Sequence, residues 1–518
     1  MFNRKRSYLS VCMTICVLLF SGCLNSNSTS NSTPDSEGAY QVGSTTIFIH
    51  DYTRGLDSVS GIDDGVRTLV TEIWYPVLLE DIDSSDARPT YGDYSFGNKY
   101  IHTLMMYDTT FFHAMAYDFY SGQPSTQEGV TQQDLDEAAD SLFNLERNSY
   151  KDAPIADTGT PFPVVIMSHG DAGSRYNMET ACEYMAANGY IVIAPEHTGN
   201  TPYSVIGKDP ALDAETGDED FLAAMADVMG LIDVHGVYET DDAQFGQTYA
   251  AFDGALNPDY SANPEGLLKM DQSLVERVND LRATINKLDE LNVSGFFADK
   301  IDTETIGLMG RSFGGATTLA GLELVDRIMA GAAVVPLATP DIRPYYVTQG
   351  GQLQNGESTF LSSDMENKPA LSSLNKPTLL LNCAEDSTII PLGNIFAMWT
   401  GDTTLTPNID NPFPSSYRAF EETNAPVVWA VLADSNHGSY AISSPYWWPD
   451  LKRNTFSEVF NSEQEYTLID SEKAHEIQKK KILAFFDYFL KADEAAKERL
   501  LSDEFVSDGL SLEHRNLD

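Results

Sequence analysis

The stretch 306–317, IGLMGRSFGGAT, decides how the rest of the chain is read. Ile306 to Met309 form an apolar run into Gly310-Arg311-Ser312-Phe313-Gly314, a second glycine follows at 315, and a helical pattern continues to about Leu324. A G-x-S-x-G match arises often by chance. Here it has the strand before it and the helix after it that a nucleophile elbow requires. Glycines on both sides of a strained serine leave room where any side chain would collide with the neighbouring strand and helix. The placement also sets Ser312 at a helix N-terminus, where backbone N–H groups stabilise an oxyanion. An ordinary loop serine does not account for that flanking order.

A serine hydroxyl is a weak nucleophile without a base, and the base needs an acid to orient it. With the chain order serine, acid, histidine, the bases to consider are His437, His475 and His514. His475 falls on a helix and His514 in a charged segment, so both are expected at the surface. His437 follows the strand PVVWAVL, in the loop at its C-terminal end, and is the expected base. Asp386, just after the strand PTLLLN, is the expected acid, with Glu385 beside it and Asp341 after the preceding strand as competitors. The loop SHGDAG (168–173) is expected to give the second oxyanion donor, the amide of Asp171, alongside that of Phe313. An acidic side chain at 171 is awkward beside an anion: it points away, or Ala172 is the donor instead.

Outward from this core the pattern is that of an α/β protein. TTIFIH (45–50) and RTLVTEIWYP (67–76) are rich in β-branched and aromatic residues. From Pro163 strands and helices alternate: PVVIMS, METACEYMAANG, YIVIAP. Near-continuous apolar strands joined by helices predict a mostly parallel, doubly wound sheet covered on both faces. Residues 273–291 place Val275, Val278, Leu281, Ile285 and Leu288 on one helical face, and a closing helix carries Ile477, Ile482, Phe485, Phe486 and Phe489. IMAGAAVVP, PTLLLN and PVVWAVL supply three further buried strands. Residues 198–270 read as an acidic, cap-like insertion with one amphipathic helix near 221–232. Its DAETGDED lacks the ligand spacing of an EF-hand loop. The aromatic segment 104–120 is expected to pack as a cover over the core, with part of a pocket as the alternative.

The excess of 77 acidic over 32 basic residues, −45 in all, opposes phosphate-bearing partners, so nucleic acid is excluded. Arg4, Lys5 and Arg6, an apolar run from Val11 to Phe20 and FSGC ending at Cys23 read as a lipoprotein-type signal peptide over 1–22. A polar tether over 23–38 follows. Residues 39–495 would then be the catalytic domain and 496–518 a charged C-terminal tail. The expected location is extracytoplasmic, through a lipid on Cys23 or by secretion. A monomer is expected. Of five cysteines only Cys182 and Cys383 remain for the folded body, paired or as two buried thiols, and no Cys/His cluster suggests a metal.

RTLVTEIWYP (67–76), SHGDAGSRYNMETACEYMAANGYIVIAPEH (168–197), RVNDLRATINKL (277–288) and IGLMGRSFGGAT (306–317) together resemble the platelet-activating-factor acetylhydrolase branch of the α/β-hydrolases. The resemblance implies an α/β-hydrolase fold with a cap insertion. It also implies a serine esterase, independent of metal or cofactor, that removes short or oxidised acyl chains from phospholipids or related small esters. Two positions depart from that pattern. Arg311 stands where the family carries histidine before the serine, and Val334 and Val335 stand where the family carries its acid. The acid is therefore expected one strand on, at Asp386, with Asp341 still its competitor. Cutinase-like polyester hydrolases carry the acid at that later strand and form the alternative reading, and a silent, surface-binding hydrolase fold is a second one.

Overall fold

Fifteen strands and seven α-helices make up the described part of the computed structural model, which covers residues 38–60, 66–83, 87–95, 97, 102, 137, 140–171, 173–201, 203–207, 237–239, 244–247, 264–337, 376–400, 403–442 and 455–517. All of these fall in one compact unit, Ser36–Asp518. The signal segment, most of the tether, the aromatic segment 104–120, the 221–232 helix, DAETGDED, Ala172 and Asp341 lie outside the described residues.

The strands are β1 (Gln41–Asp51), β2 (Arg67–Val77), β3 (Tyr150–Lys151), β4 (Phe162–Ser168), β5 (Ile191–Pro195), β6 (Tyr203–Gly207), β7 (Val237–Glu239), β8 (Gln244–Gln247), β9 (Ile301–Arg311), β10 (Ile328–Val334), β11 (Thr378–Cys383), β12 (Val427–Leu432), β13 (Thr455–Ser457), β14 (Glu465–Thr467) and β15 (Leu510–Arg515). Ten of them form one sheet in the order β15-β12-β11-β10-β9-β4-β5-β2-β1-β3. Its centre, from β5 through β4, β9, β10 and β11 to β12, is parallel throughout. β2 joins β5 antiparallel and β1 joins β2 antiparallel over eleven residue pairs. This is the α/β-hydrolase fold. Apart from the polar start of β9 at residues 302–305, the central strands are largely apolar because both faces are covered, each by its own hydrophobic cluster.

The helices are α1 (Glu179–Ala187), α2 (Pro264–Val293), α3 (Phe313–Leu324), α4 (Ile389–Thr400), α5 (Pro414–Glu422), α6 (Ser471–Leu490) and α7 (Glu494–Leu500). α2 buries Leu274, Val278, Leu281, Ile285 and Leu288 in the same cluster as α3. α6 buries Ile477, Ile482, Phe485 and Phe486 on the other face. Gly307 in β9 is needed for that contact, since a Cβ there would lie 2.6 Å from the Phe486 ring. Within 198–270, β6, β8 and β7 pair as a separate antiparallel sheet. No helix among the described residues is long and apolar enough to cross a membrane. Cys182 and Cys383 are separate, buried free thiols.

Two expectations need correction. Residues 496–518 are not a tail: Ala496 and Leu500 are buried in α7, and β15 pairs antiparallel with β12 over six residues, closing that side of the sheet. The charges that made the segment look solvated are spread over α7, the residues after it and the edge strand β15, while Leu510 is buried. His475 is not at the surface but 3% exposed. Its Nδ1 accepts from Thr180 Oγ1 at 2.7 Å and its Nε2 donates to the Ala441 carbonyl at 3.1 Å, joining α1, α6 and the loop after β12. His514 is exposed on β15.

Candidate active site

β9 delivers Ser312 to a sharp turn and α3 begins at the next residue. The serine has φ 58° and ψ −117°, a conformation that costs a non-glycine residue about 1–3 kcal/mol and survives only where its surroundings impose it. Here they do. Ser312 N–H donates to the Val334 carbonyl at 2.9 Å, and its carbonyl accepts from Ala316 at 3.1 Å and Leu337 at 3.2 Å. The flanking glycines are steric necessities. A Cβ at Gly310 would overlap the Gly314 carbonyl, and one at Gly314 would overlap the Ser168 carbonyl, both well inside van der Waals contact.

His437 sits in the turn after β12. Its Nε2 is 3.0 Å from Ser312 Oγ, and its Nδ1 is 2.8 Å from Asp386 Oδ2. A carboxylate only accepts, so Nδ1 carries the proton and Nε2 keeps a lone pair toward the serine hydroxyl. Asp386 follows β11 and is fully buried; its Oδ1 accepts from the amides of Thr388 at 3.0 Å and Ile389 at 2.8 Å. Glu385 faces elsewhere, accepting from the Val459 amide at 2.7 Å. Burial holds the His437 pKa below the ordinary histidine value, Asp386 partly offsets this, and Arg311 adds to it. The imidazole is therefore neutral at pH 7, the form that can take a proton.

The loop after β4 runs past this group. A Cβ on Gly170 would lie 3.4 Å from Ser312 Cβ, so this loop passes the serine at Gly170. The carboxylate of Asp171 accepts from Asn200 Nδ2 at 2.6 Å, which ties the awkward acid to a specific partner. Phe313 is fully buried and its amide opens α3, where the first N–H groups have no partner within the helix.

Arg311, the departure noted in the sequence, is 2% exposed, and its Nη2 donates to the His437 carbonyl. Burial lowers its pKa to about 10, with Asp386 opposing, so it remains a cation. Two further features had no sequence signal strong enough to find them. Arg277 on α2 donates to the carbonyls of His169 and Gly170. Ser168 Oγ, His197 and Asp280 form a second serine–histidine–aspartate row, at 2.9 and 3.0 Å. Access separates the two rows: Ser312 retains 9% exposure, Ser168 none, so the second row is structural.

The family described as platelet-activating factor acetylhydrolase, isoform II, matches residues 94–225, which include the loop 168–173 but not Ser312, Asp386 or His437. A curated relative, the platelet-activating factor acetylhydrolase of Canis lupus familiaris, is 26% identical over 178 residues, 34% of this chain. The chain matches only 35% of the length of that relative. Among solved structures, a ferulic acid esterase from Streptomyces cinnamoneus covers 93% of this chain and 98% of its own, with a TM-score of 0.52 and 16% identity. That likeness is one of fold. The chain thus has the α/β-hydrolase fold and is similar, in part of its length, to platelet-activating factor acetylhydrolases.

Proposed function

We propose that this protein is a serine carboxylic-ester hydrolase that works through an acyl-enzyme on short-chain acyl esters, including phospholipid-type esters. The observation that carries the reading is the unbroken row Ser312 Oγ, His437, Asp386 at 3.0 and 2.8 Å on a strained strand-to-helix turn. Ser312 Oγ bonds to the ester carbonyl carbon as its proton passes to His437 Nε2. The carbonyl oxygen becomes an oxyanion, held by the amides of Phe313 and Asp171. Collapse breaks the bond to the alcohol, which leaves with the proton from His437. Water then attacks the acyl-enzyme, giving its proton to His437, and the carboxylate departs with Ser312 restored. Asp386 keeps His437 in the required tautomer and stabilises its cation.

The test is hydrolysis of p-nitrophenyl acetate with labelling of Ser312 by a fluorophosphonate. Ser312→Ala is expected to abolish labelling and lower kcat by roughly 10⁴-fold or more. A protein that neither turns over the ester nor reacts with the probe overturns the proposal. An acyl series from acetyl to lauroyl, with and without a phosphocholine headgroup, reads the substrate class. Turnover confined to polyester film would favour the cutinase-like alternative, whose acid also lies after the strand that Asp386 follows. The basic start, apolar run and FSGC ending at Cys23 support attachment of a lipid there, holding a monomeric enzyme at a membrane surface outside the cytoplasm. Cys23→Ser should then release it from the membrane fraction.

A further inference from the structure

The question is how the loop beside Ser312 is aimed, and the answer rests on the esterase reading. In a planar trans peptide the C=O and N–H point to opposite sides. The direction of the Gly170 carbonyl therefore sets the direction of the Asp171 N–H. That carbonyl accepts from Arg277 Nη2 at 3.0 Å, from His169 Nδ1 at 2.8 Å and from the Gly173 amide at 3.2 Å. Arg277 Nη1 donates to the preceding carbonyl, His169, at 2.6 Å. Two successive peptide units are thus held by one planar guanidinium, a geometry that suits arginine and no other side chain.

The same group reaches further. Arg277 Nε donates to Asn200 Oδ1 at 2.8 Å, and Asn200 Nδ2 holds the Asp171 carboxylate at 2.6 Å. Its face lies 4.7 Å from the ring centre of Phe313, the residue that carries the other expected oxyanion amide. The helix that carries Arg277 is anchored by Asp280, three residues on along α2. Asp280 accepts from Arg67 Nη2 at 2.7 Å, Arg54 Nη2 at 2.9 Å and His197 Nδ1 at 3.0 Å. Burial brings the Arg277 pKa down to about 9, which still leaves it charged at neutral pH.

We propose that Arg277, together with Asn200, is a positioning residue of the oxyanion site: it turns the Asp171 amide toward the tetrahedral oxygen and holds the Asp171 carboxylate off it. Neither residue touches a reacting atom, so their effect is confined to the stage at which negative charge develops. A carboxylate released toward that oxygen would repel it, and a rotated peptide would remove a donor.

Arg277→Lys keeps charge and bulk but cannot bond two carbonyls and Asn200 in one plane. It is expected to leave KM for p-nitrophenyl acetate within about twofold and to lower kcat on the order of 10- to 100-fold. The Ki of an alkyl trifluoromethyl ketone, which binds Ser312 as a tetrahedral oxyanion, should rise by the same factor. A folded Arg277→Lys enzyme with wild-type kcat, or one whose loss falls on KM with the ketone Ki unmoved, overturns the proposal. Asn200→Ala leaves the guanidinium on the loop and guards against misfolding of the first variant. It should lower kcat roughly tenfold with the same split, and wild-type kcat in this variant also overturns the proposal. Wild-type turnover tests the esterase reading alone: its absence removes both proposals, whereas an active wild type with unaffected variants removes only this one.

Discussion

Asp386 uses both of its oxygens, one on His437 and one on the amides of Thr388 and Ile389. Asparagine there would turn an NH₂ toward either the histidine or the two amides. In the first case His437 is forced into the tautomer whose Nε2 already carries a proton. Asp386→Asn should lower kcat on the order of 10⁴-fold with KM little changed, while Glu385→Gln should stay within about twofold. Equal losses in steady-state kinetics would place the acid elsewhere. Arg311 makes a separate prediction at this scale. Burial is the main cause of the lowered His437 pKa, and the Arg311 cation adds to it against Asp386. Removing that cation in Arg311→Gln should raise the pKa, and glutamine can still donate to the His437 carbonyl. The acid limb of kcat/KM should then lie at higher pH than in the wild type, closer to 6.5. A limb that stays put or moves to lower pH would show that Arg311 does not act on the base.

Among the elements, α6 shows how a packed helix couples to the site. His475 on α6 bonds Thr180 of α1 and the Ala441 carbonyl, in the loop that presents His437. Burial lowers its pKa to about 4. The unfolded chain would bind a proton at about 6.5, so between these values the unfolded state holds more protons. This group's share of stability is present above about pH 6.5 and is lost as pH falls, on the order of 3 kcal/mol by pH 4. Glutamine accepts and donates at similar positions without titrating. His475→Gln should therefore show a shallower fall of Tm between pH 6.5 and 4 than the wild type, read by thermal melts. Parallel curves would mean that His475 is already charged in the folded state.

The same helix marks where sequence reading runs out. Ile477, Ile482, Phe485 and Phe486 are legible on α6 because apolar periodicity reports a buried face directly. His475 shares that face, but a histidine among apolar neighbours looks the same whether it is solvated or bonded to Ala441. Ser312 and His437 are legible because local glycines and chain order constrain them. Asp386 is legible only as one of three acids, since its two-amide anchor depends on how the chain turns after β11. Arg277 could not be found in this way. Its partners are main-chain carbonyls of His169 and Gly170, more than a hundred residues distant, and carbonyls carry no residue identity.

For the molecule as a whole, the last strand matters most for keeping the sheet closed. Val427 to Leu432 form an entirely apolar strand, and β15 is what pairs its outer edge, from Val427–Arg515 to Leu432–Leu510. Phe505, Leu510 and Leu517 are buried with it. Cutting the chain after Leu501 removes these side chains from the core, a loss of roughly 5 kcal/mol or more. It also leaves a row of unpaired N–H and C=O groups on an apolar strand, the template for edge-to-edge association. The charged residues of β15, Glu513, His514 and Arg515, are exposed and suited to discouraging such pairing. The truncated protein should therefore melt well below the intact chain and form higher-order species on size-exclusion chromatography. The effect should reach the site as well, because β12 leads directly into the turn that carries His437. A truncated chain that elutes in the same oligomeric state as the intact chain with unchanged Tm would mean that β12 is protected from its own edge by something other than β15.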